Sequence, residues 1–236
     1  MNNSTHKVVL ITGTSRGLGK YLVENFMTSG YHVVACSRGK VEFKDKLYTH
    51  MEGDIADPQF KAEVFKFIKV VLGRLDVLIN NAVFNPSIIS SILLPYDDTE
   101  RALKLNVLAP MMFCQEAIKI MRRNKYGRII NIGSMVTKHT DLGGAIYSTC
   151  KSAIDTYSKV IARDVSKIGI TVNVLAVSAI KTDLSDRLDP AFLKQVLSRN
   201  AIPEMGEMSD IANLMDFLIK EESSAITGQV IYLGGA

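Results

Sequence analysis

Tyr147 and Lys151, the tyrosine and lysine of YSTCK, stand four positions apart in a stretch with helical periodicity. Residues i and i+4 of a helix are neighbours, so a phenol and an ammonium would share one small site. An unperturbed phenol has a pKa of about 10, and a nearby positive charge favours its ionised form. The pair therefore suits acid–base chemistry, provided that a cofactor and a substrate meet there. The alternative is an ordinary solvated helix face.

Apolar, β-branched runs alternate with amphipathic stretches along the whole chain. The predicted strands are KVVLITG, YHVVACSR, the run before EGDI, RLDVLINNA, GRIINIGS, ITVNVLAV and GQVIYLGG. Amphipathic stretches at roughly 57–72, 97–123, 147–167 and 208–219 lie between them. This alternation predicts one α/β domain over residues 1–236, with a doubly wound, seven-stranded and mainly parallel sheet and helices on both faces. Such sheets bind ligands beyond the carboxyl ends of their strands.

Composition excludes several other classes of protein. Hydrophobic residues make up 47% and charged residues 22%, and the net charge of +4 is spread along the chain, so we expect no nucleic-acid partner. The N-terminus is polar and no run has transmembrane length, which predicts a cytoplasmic protein without a membrane segment. Cys36, Cys114 and Cys150 are odd in number and lack metal-ligand spacing, so we expect no disulfide framework and no metal site.

The first strand runs directly into TGTSRGLG, residues 12–19, and then into a helical stretch. Gly13, Gly17 and Gly19 would let the backbone turn tightly and let a pyrophosphate approach. The N–H groups and dipole of the following helix would favour that anion. Three glycines can also merely make a turn, but the strand–turn–helix context indicates a nucleotide-binding loop.

The second strand ends in CSR, where a protein that binds NAD usually has an acidic residue for the ribose 2′-OH. Ser37 and Arg38 stand there instead, and Glu42 comes too late to take that place. Arg16 lies within the glycine loop. A hydroxyl and two arginines suit a 2′-phosphate, so we predict NADP(H) as the cofactor. The alternative is that both arginines are solvated loop residues.

With these motifs in order, the chain resembles the short-chain dehydrogenase/reductase family over nearly its whole length. The resemblance rests on TGTSRGLG, on NNA at residues 80–82, on Ser134 followed by Tyr147 and Lys151, on Asn106 in LKLNV, and on ITGQVIYLGG. It implies a Rossmann fold and the catalytic set Asn106, Ser134, Tyr147 and Lys151. Tyr147 would donate a proton, Ser134 would orient the carbonyl, Lys151 would hold the nicotinamide ribose, and Asn106 would hold a water.

The resemblance also implies a set of cofactor contacts. Asp54 would contact the adenine, and Thr182 would contact the carboxamide. The full predicted set is Gly13, Ser15, Arg16, Gly17, Leu18, Gly19, Ser37, Arg38, Asp54, Ile55, Asn81, Ala82, Tyr147, Lys151, Ile180 and Thr182.

The chain departs from the family pattern at the nicotinamide pocket. Val83 stands where glycine usually follows NNA, and Val177 and Ser178 replace the usual Pro-Gly after the sixth strand. A serine side chain there would crowd the ring or add a hydrogen bond. These changes put the pocket geometry, and not the fold, in question.

Within the family, the chain is similar to 3-oxoacyl-acyl-carrier-protein reductases. Residues 183–207 would form a substrate lid with an apolar face, which suits an acyl substrate. A basic run, Lys119, Arg122, Arg123, Lys125 and Arg128, would dock an acyl carrier protein. The family also implies a homotetramer or a homodimer.

Three functions remain open at this point. The first is NADPH-dependent reduction of a carbonyl, either a 3-oxoacyl thioester or a related ketone. The second is an NADP-dependent alcohol, polyol or sugar dehydrogenase that runs towards oxidation. The third is a non-catalytic member of the family that binds dinucleotide as a regulator or scaffold.

Overall fold

The computed structural model describes residues 6–140, 142–181 and 190–235. The strands are β1 Val8–Thr12, β2 His32–Ser37, β3 Tyr48–Glu52, β4 Val77–Asn80, β5 Gly127–Ser134, β6 Ile170–Val177 and β7 Val230–Tyr232. Within the described residues, these seven strands form one sheet in the order β3-β2-β1-β4-β5-β6-β7, and every neighbouring pair is parallel. The predicted doubly wound fold is therefore confirmed.

Helices cover both faces of the sheet. They are α1 Gly17–Thr28, α2 Pro58–Phe67, α3 Tyr96–Leu103, α4 Ala109–Asn124, α5 Val136–His139, α6 Ala145–Val165, α7 Pro190–Leu197 and α8 Met208–Leu218. Successive β1 side chains point to opposite faces: Val8 and Leu10 pack in the core with α2, α4 and α6, whereas Val9 and Ile11 pack with α1 and α8. Because both faces are buried, β1 reads as a continuous apolar run.

The strand order places a crevice at the carboxyl ends of β1 and β4. From β1 the chain builds β2 and β3 on one side, and it then crosses to β4 on the other side. The loops that leave β1 and β4 therefore diverge above the sheet, and such a switch point is where open α/β sheets bind ligands. The β1 loop contains the three glycines of the predicted cofactor loop.

The amphipathic stretch predicted at 97–123 is interrupted in its middle. α3 ends at Leu103, a π-helical turn covers Lys104–Leu108, and α4 begins at Ala109. Pro110 contributes to this break because it has no N–H to donate to the carbonyl of Asn106. Wide π turns of this kind are frequent at functional sites.

Every helix in the described ranges is too short or too polar to serve as a membrane span.

Candidate active site

The glycine loop passes so close to its neighbours that side chains are excluded at two of its positions. Gly13 has a φ of 74°, and a Cβ there would lie 2.6 Å from the Cα of Ala82. A Cβ on Gly19 would lie 2.1 Å from the carbonyl oxygen of Gly13 and 2.6 Å from Nδ2 of Asn81. These contacts hold the start of α1 against the loop and leave a cradle of backbone at the helix N-terminus, which suits a pyrophosphate.

We expect Gly19→Ala to abolish dinucleotide binding, because the added methyl group must displace the backbone of the loop. Isothermal titration with NADPH measures this loss. Gly30→Ala is the control, because Gly30 has open space around it, and its positive φ of 80° adds only local backbone strain. That control should lose about 1 kcal/mol of stability through backbone strain and bind NADPH normally. Normal NADPH binding by Gly19→Ala would contradict this view of the loop.

Thr12 and Asn81 hold the two loops of the crevice together. Thr12 Oγ1 accepts hydrogen bonds from the backbone N–H groups of Asn81 and Ala82, both at 3.1 Å. The Asn81 amide donates to the carbonyl oxygens of Thr12 and Gly13, both at 3.0 Å. The Asn81 side chain, predicted to contact the cofactor, therefore positions the glycine loop. Sequence reasoning missed Thr12, whose signal is a polar residue at the end of an otherwise apolar strand.

The predicted 2′-phosphate site lies at the end of β2. Arg16 and Arg38 are exposed, and neither forms an ion pair with another described residue. Ser37 is buried, and its hydroxyl donates to the carbonyl of Gly39 at 2.8 Å. Glu42, the next acid, is paired with Lys40 at 2.5 Å. Two unpaired guanidinium groups thus remain available for an anion.

The loop after β3 carries the predicted adenine contacts. Asp54 is partly buried, and its Oδ1 accepts a hydrogen bond from the backbone N–H of Ala56 at 2.9 Å. Ile55 is 8% exposed and belongs to the hydrophobic core beneath α2. Ser15 is exposed in the glycine loop, while Leu18 lies in the first turn of α1 and is largely buried in the hydrophobic core. Ile55 and Leu18 therefore act mainly as core residues.

The predicted catalytic side chains converge at the carboxyl edge of the sheet. Ser134 ends β5, and its hydroxyl lies near enough to the Tyr147 phenol on α6 to lower the pKa of that phenol. Lys151, one turn further along α6, is 6% exposed and lies 5.6 Å from the centroid of the Tyr147 ring. Its Nζ donates to the carbonyl of Ile132 at 2.7 Å. A phenol, a hydroxyl and an ammonium thus share one site, as the spacing predicts.

The electrostatics of this group differ from the sequence expectation. Desolvation by the surrounding protein raises the pKa of Tyr147 to about 12, although the Ser134 hydroxyl partly offsets this effect. The spacing of Tyr147 and Lys151 predicts the opposite, a Tyr147 pKa lowered by the nearby ammonium. Desolvation also lowers the pKa of Lys151 to about 8. Desolvation thus opposes the charged form of both groups.

Asn106 lies in the π turn and clamps the loop after β4. Its Nδ2 donates to the carbonyl of Phe84 at 2.7 Å, and its Oδ1 accepts from the N–H of Phe84 at 2.8 Å. The Arg101 guanidinium covers the other side of this loop, 4.5 Å from the centroid of the Phe84 ring. The buried Asn106 amide therefore fixes the loop that continues from Asn81 and Ala82.

A model of the short chain dehydrogenase family matches residues 7–191, which include the glycine loop and the whole Ser134–Tyr147–Lys151 group. The chain belongs to the short-chain dehydrogenases. Two full-length relatives agree with this assignment. The 3-oxoacyl-[acyl-carrier-protein] reductase FabG of Escherichia coli strain K12 is 30% identical over 99% of this chain and 98% of its own length. The enzyme of the same name from Rickettsia felis is 31% identical over 100% of this chain and 98% of its own length.

Two solved structures show the same fold as this short-chain dehydrogenase. YwfH, an NADPH-dependent reductase involved in bacilysin biosynthesis, superposes with a TM-score of 0.87 at 26% identity and covers 98% of both chains. ElxO with NADP bound superposes with a TM-score of 0.87 at 26% identity and covers 97% of both chains. The predicted family and its similarity to 3-oxoacyl-acyl-carrier-protein reductases are thus confirmed.

A buried chain of amides, which sequence reasoning missed, aligns α6 of this short-chain dehydrogenase with its sheet. Asn80 on β4 donates from Nδ2 to Oδ1 of Asn131 on β5 at 2.8 Å. Asn131 donates in turn from its own Nδ2 to the Ser158 hydroxyl on α6 at 2.8 Å. Since α6 carries Tyr147 and Lys151, these bonds fix the helix that presents both side chains.

Ser178 and Val83, two of the residues that depart from the family pattern, differ in their surroundings. Ser178 follows β6, and its hydroxyl oxygen accepts from Nδ2 of Asn200 at 2.7 Å, while Oδ1 of Asn200 lies 3.3 Å from Nε2 of His139. The serine is thus held by a buried amide. Val83 is 45% exposed at the crevice.

Residues 183–189 of the predicted lid at 183–207 lie outside the described residues. Thr182, predicted to contact the carboxamide, also lies outside them. In the part that the structure describes, α7 covers Pro190–Leu197, and residues 200–202 then dock on the C-terminal glycines. The backbone N–H groups of Ala201 and Ile202 donate to the carbonyls of Gly235 and Gly234. Ile180 pairs with Gly206 in an isolated parallel bridge.

The basic run predicted to dock a carrier protein does not form one exposed surface. Arg128 is 2% exposed, and its guanidinium donates to the carbonyls of Lys220, Gly127 and Gly169. Arg128 also lies at the start of β5, about 20 Å from Ser134 at its end. The inclusion of Arg128 in the docking surface is therefore wrong. Lys119, Arg122, Arg123 and Lys125 are exposed, and docking of a carrier protein on these four residues stays a prediction.

Proposed function

We propose that this short-chain dehydrogenase reduces a carbonyl group to an alcohol with NADPH, and that Tyr147 donates the proton. The convergence of the Tyr147 phenol, the Ser134 hydroxyl and the Lys151 ammonium carries the proposal. These groups lie at the carboxyl edge of β5, two strands from the glycine cradle at the end of β1. When bound, NADPH supplies the hydride.

The proton chemistry favours reduction. A phenol with a pKa near 12 stays protonated at neutral pH, so Tyr147 is ready to donate to a carbonyl oxygen. The Ser134 hydroxyl would donate a second hydrogen bond to that oxygen and stabilise the negative charge that develops there. Oxidation of an alcohol would instead require Tyr147 as phenolate, which burial disfavours.

Lys151 and Asn106 would complete the proton path. The Lys151 ammonium would hold the nicotinamide ribose and stabilise the phenolate that Tyr147 becomes after it gives up its proton. The carbonyl of Asn106 lacks its usual helical donor because Pro110 has no N–H, which leaves this carbonyl available to a water. Such a water would link Lys151 to solvent and so return a proton to Tyr147.

NADPH is the proposed cofactor because Arg38 directly follows β2, where an acid would select NAD. Arg16 offers a second guanidinium from the glycine loop, whose Gly13 N–H donates to the carbonyl of Cys36 near the end of β2. The first acid in the following loop, Glu42, is paired with Lys40. YwfH is an NADPH-dependent reductase, and ElxO was solved with NADP bound, which supports the same choice here.

The proposed substrate is a 3-oxoacyl thioester or a related ketone with an apolar chain. Full-length relatives are 3-oxoacyl-[acyl-carrier-protein] reductases. Apolar side chains flank the approach to Tyr147: Leu142, just before α6, is 95% exposed, and Ile88 is 56% exposed. These two loops touch, since a Cβ on Gly143 would lie 3.0 Å from Cγ2 of Ile88. An acyl chain would cover this apolar rim.

A panel of carbonyl compounds tests the proposal. The purified chain is mixed with NADPH or NADH and with 3-oxoacyl thioesters, quinones, small ketones or sugars, and loss of nicotinamide absorbance is followed. We expect turnover of the thioesters with a preference for NADPH. Faster oxidation of alcohols or polyols with NADP would favour the dehydrogenase alternative. NADPH binding without turnover of any compound would favour a dinucleotide-binding regulator.

A further inference from the structure

Asp155 is a buried carboxylate on α6 for which the proposed mechanism gives no role. It is 7% exposed, and its Oδ1 has no hydrogen-bond partner among the described residues. A buried acceptor without a partner is costly, and a buried carboxylate more so. Its place on the helix follows from the sequence: Asp155 lies four residues after Lys151, as Lys151 lies four residues after Tyr147. The three side chains therefore stand one above another on one face of α6.

We propose that Asp155 is a positioning residue that keeps Lys151 protonated. The inference rests on the proposed function, because it assigns a role to a group that acts through Lys151. The carboxylate and the ammonium are both buried, and they are neighbours on adjacent turns of one helix. In such surroundings a charge interaction is stronger than it is in water.

The charges around Lys151 agree with this role. Desolvation lowers the pKa of Lys151, and among the groups that oppose this effect Asp155 is the strongest, followed by Cys150. The carboxylate is itself surrounded by Thr137 on α5 and by Lys159 and Lys151 on α6, all of which favour its ionised form, although burial raises its pKa. Lys159 is exposed to solvent, so Lys151 is the buried cation whose charge Asp155 stabilises.

The consequence for the proposed reaction is specific. With a pKa of about 8, Lys151 is mostly an ammonium at neutral pH. Without the carboxylate, that pKa would fall towards neutrality, and a large fraction of Lys151 would lose the charge that holds the ribose and stabilises the Tyr147 phenolate. Removal of Asp155 should therefore shift a pH profile as well as lower a rate.

The test measures the titration of Lys151 directly. The full chain is labelled with 13C-lysine, and the Lys151 resonance is assigned from its loss in Lys151→Met. We expect the Lys151 pKa to fall by about one unit in Asp155→Asn, the size of effect that a close opposite charge exerts. Asp155→Glu should largely restore the wild-type value. Asp164→Asn, the same change at an exposed position of α6, should leave it unaltered.

Activity supplies a second readout. The alkaline limb of kcat/KM for carbonyl reduction should move to lower pH in Asp155→Asn by the same amount as the Lys151 pKa. Asp155→Leu, which also removes the charge, gives the same expectation if the asparagine variant does not fold. A Lys151 pKa that is identical in the wild type and in the charge-removing variant would overturn the proposal. If the wild-type chain reduced no carbonyl, the proposed function would fail, but the lysine titration would still decide the role of Asp155.

Discussion

Tyr147→Phe is expected to lower kcat/KM for carbonyl reduction by about a thousandfold or more, since proton transfer by a positioned side chain contributes roughly 10²–10⁴-fold. The substitution removes the phenol oxygen, which is the proton donor, and it keeps the ring that packs beside Lys151. NADPH affinity should weaken by no more than about fivefold, the equivalent of one hydrogen bond. Steady-state rates and an NADPH titration measure the two effects separately.

Tyr157→Phe is the matched control for this variant. Tyr157 lies on the same helix, and its hydroxyl donates to the carbonyl of Met111 at 3.2 Å, away from the catalytic group. Its loss should cost about 1 kcal/mol of stability and leave turnover unchanged. If Tyr147→Phe kept more than about a tenth of the wild-type kcat/KM, general acid catalysis by Tyr147 would be refuted, because the effect would fall below the usual range.

The largest expected effect on cofactor choice comes from Arg16 and Arg38. Each guanidinium would make a charge-assisted contact with the 2′-phosphate, and such contacts contribute about 1.5–3 kcal/mol each. Replacement of both by alanine should therefore weaken NADPH binding by about two to four orders of magnitude. NADH lacks the phosphate, so its affinity should change little, and the preference between the two cofactors should collapse.

Fluorescence titrations of both nucleotides give these affinities. Lys44→Ala is a suitable control, because Lys44 is an exposed cation in the loop after β2 but is absent from the proposed site. Equal losses for NADPH and NADH in the double variant would contradict the assignment, since they would place both arginines on the pyrophosphate that the two cofactors share. If Arg16→Ala or Arg38→Ala alone weakened NADPH binding as much as the double variant does, that arginine alone would bind the 2′-phosphate.

Local patterns were sufficient to predict the fold and the convergence of the proposed catalytic side chains. Strand runs such as those of β1 and β5 are apolar because both faces of the sheet are covered, and this burial is readable in the sequence. Tyr147 and Lys151 are neighbours on α6, as their four-residue spacing predicts, because this proximity depends only on helical geometry. The place of Ser134 followed from the end of a strand.

Features that depend on contacts between distant segments were not predictable in this way. The Asn81 side-chain amide donates hydrogen bonds to the carbonyls of Thr12 and Gly13, which are distant from it in the sequence. Burial of Arg128 against the carbonyl of Lys220 likewise needs the folded protein. The pKa of Tyr147 depends on how the surrounding protein excludes water, and a spacing argument contains no information on that exclusion.

The central claim is that hydride passes from NADPH to a carbonyl carbon while Tyr147 supplies the proton. The most direct measurement uses NADPH deuterated at the transferable C4 position, a 3-oxoacyl thioester or the best ketone of the panel, and mass spectrometry of the product. We predict one deuterium on the carbinol carbon with the wild-type chain, and labelled product formed more slowly with Tyr147→Phe, by about a thousandfold or more. Bound NADPH that transfers no deuterium to any carbonyl would contradict the account.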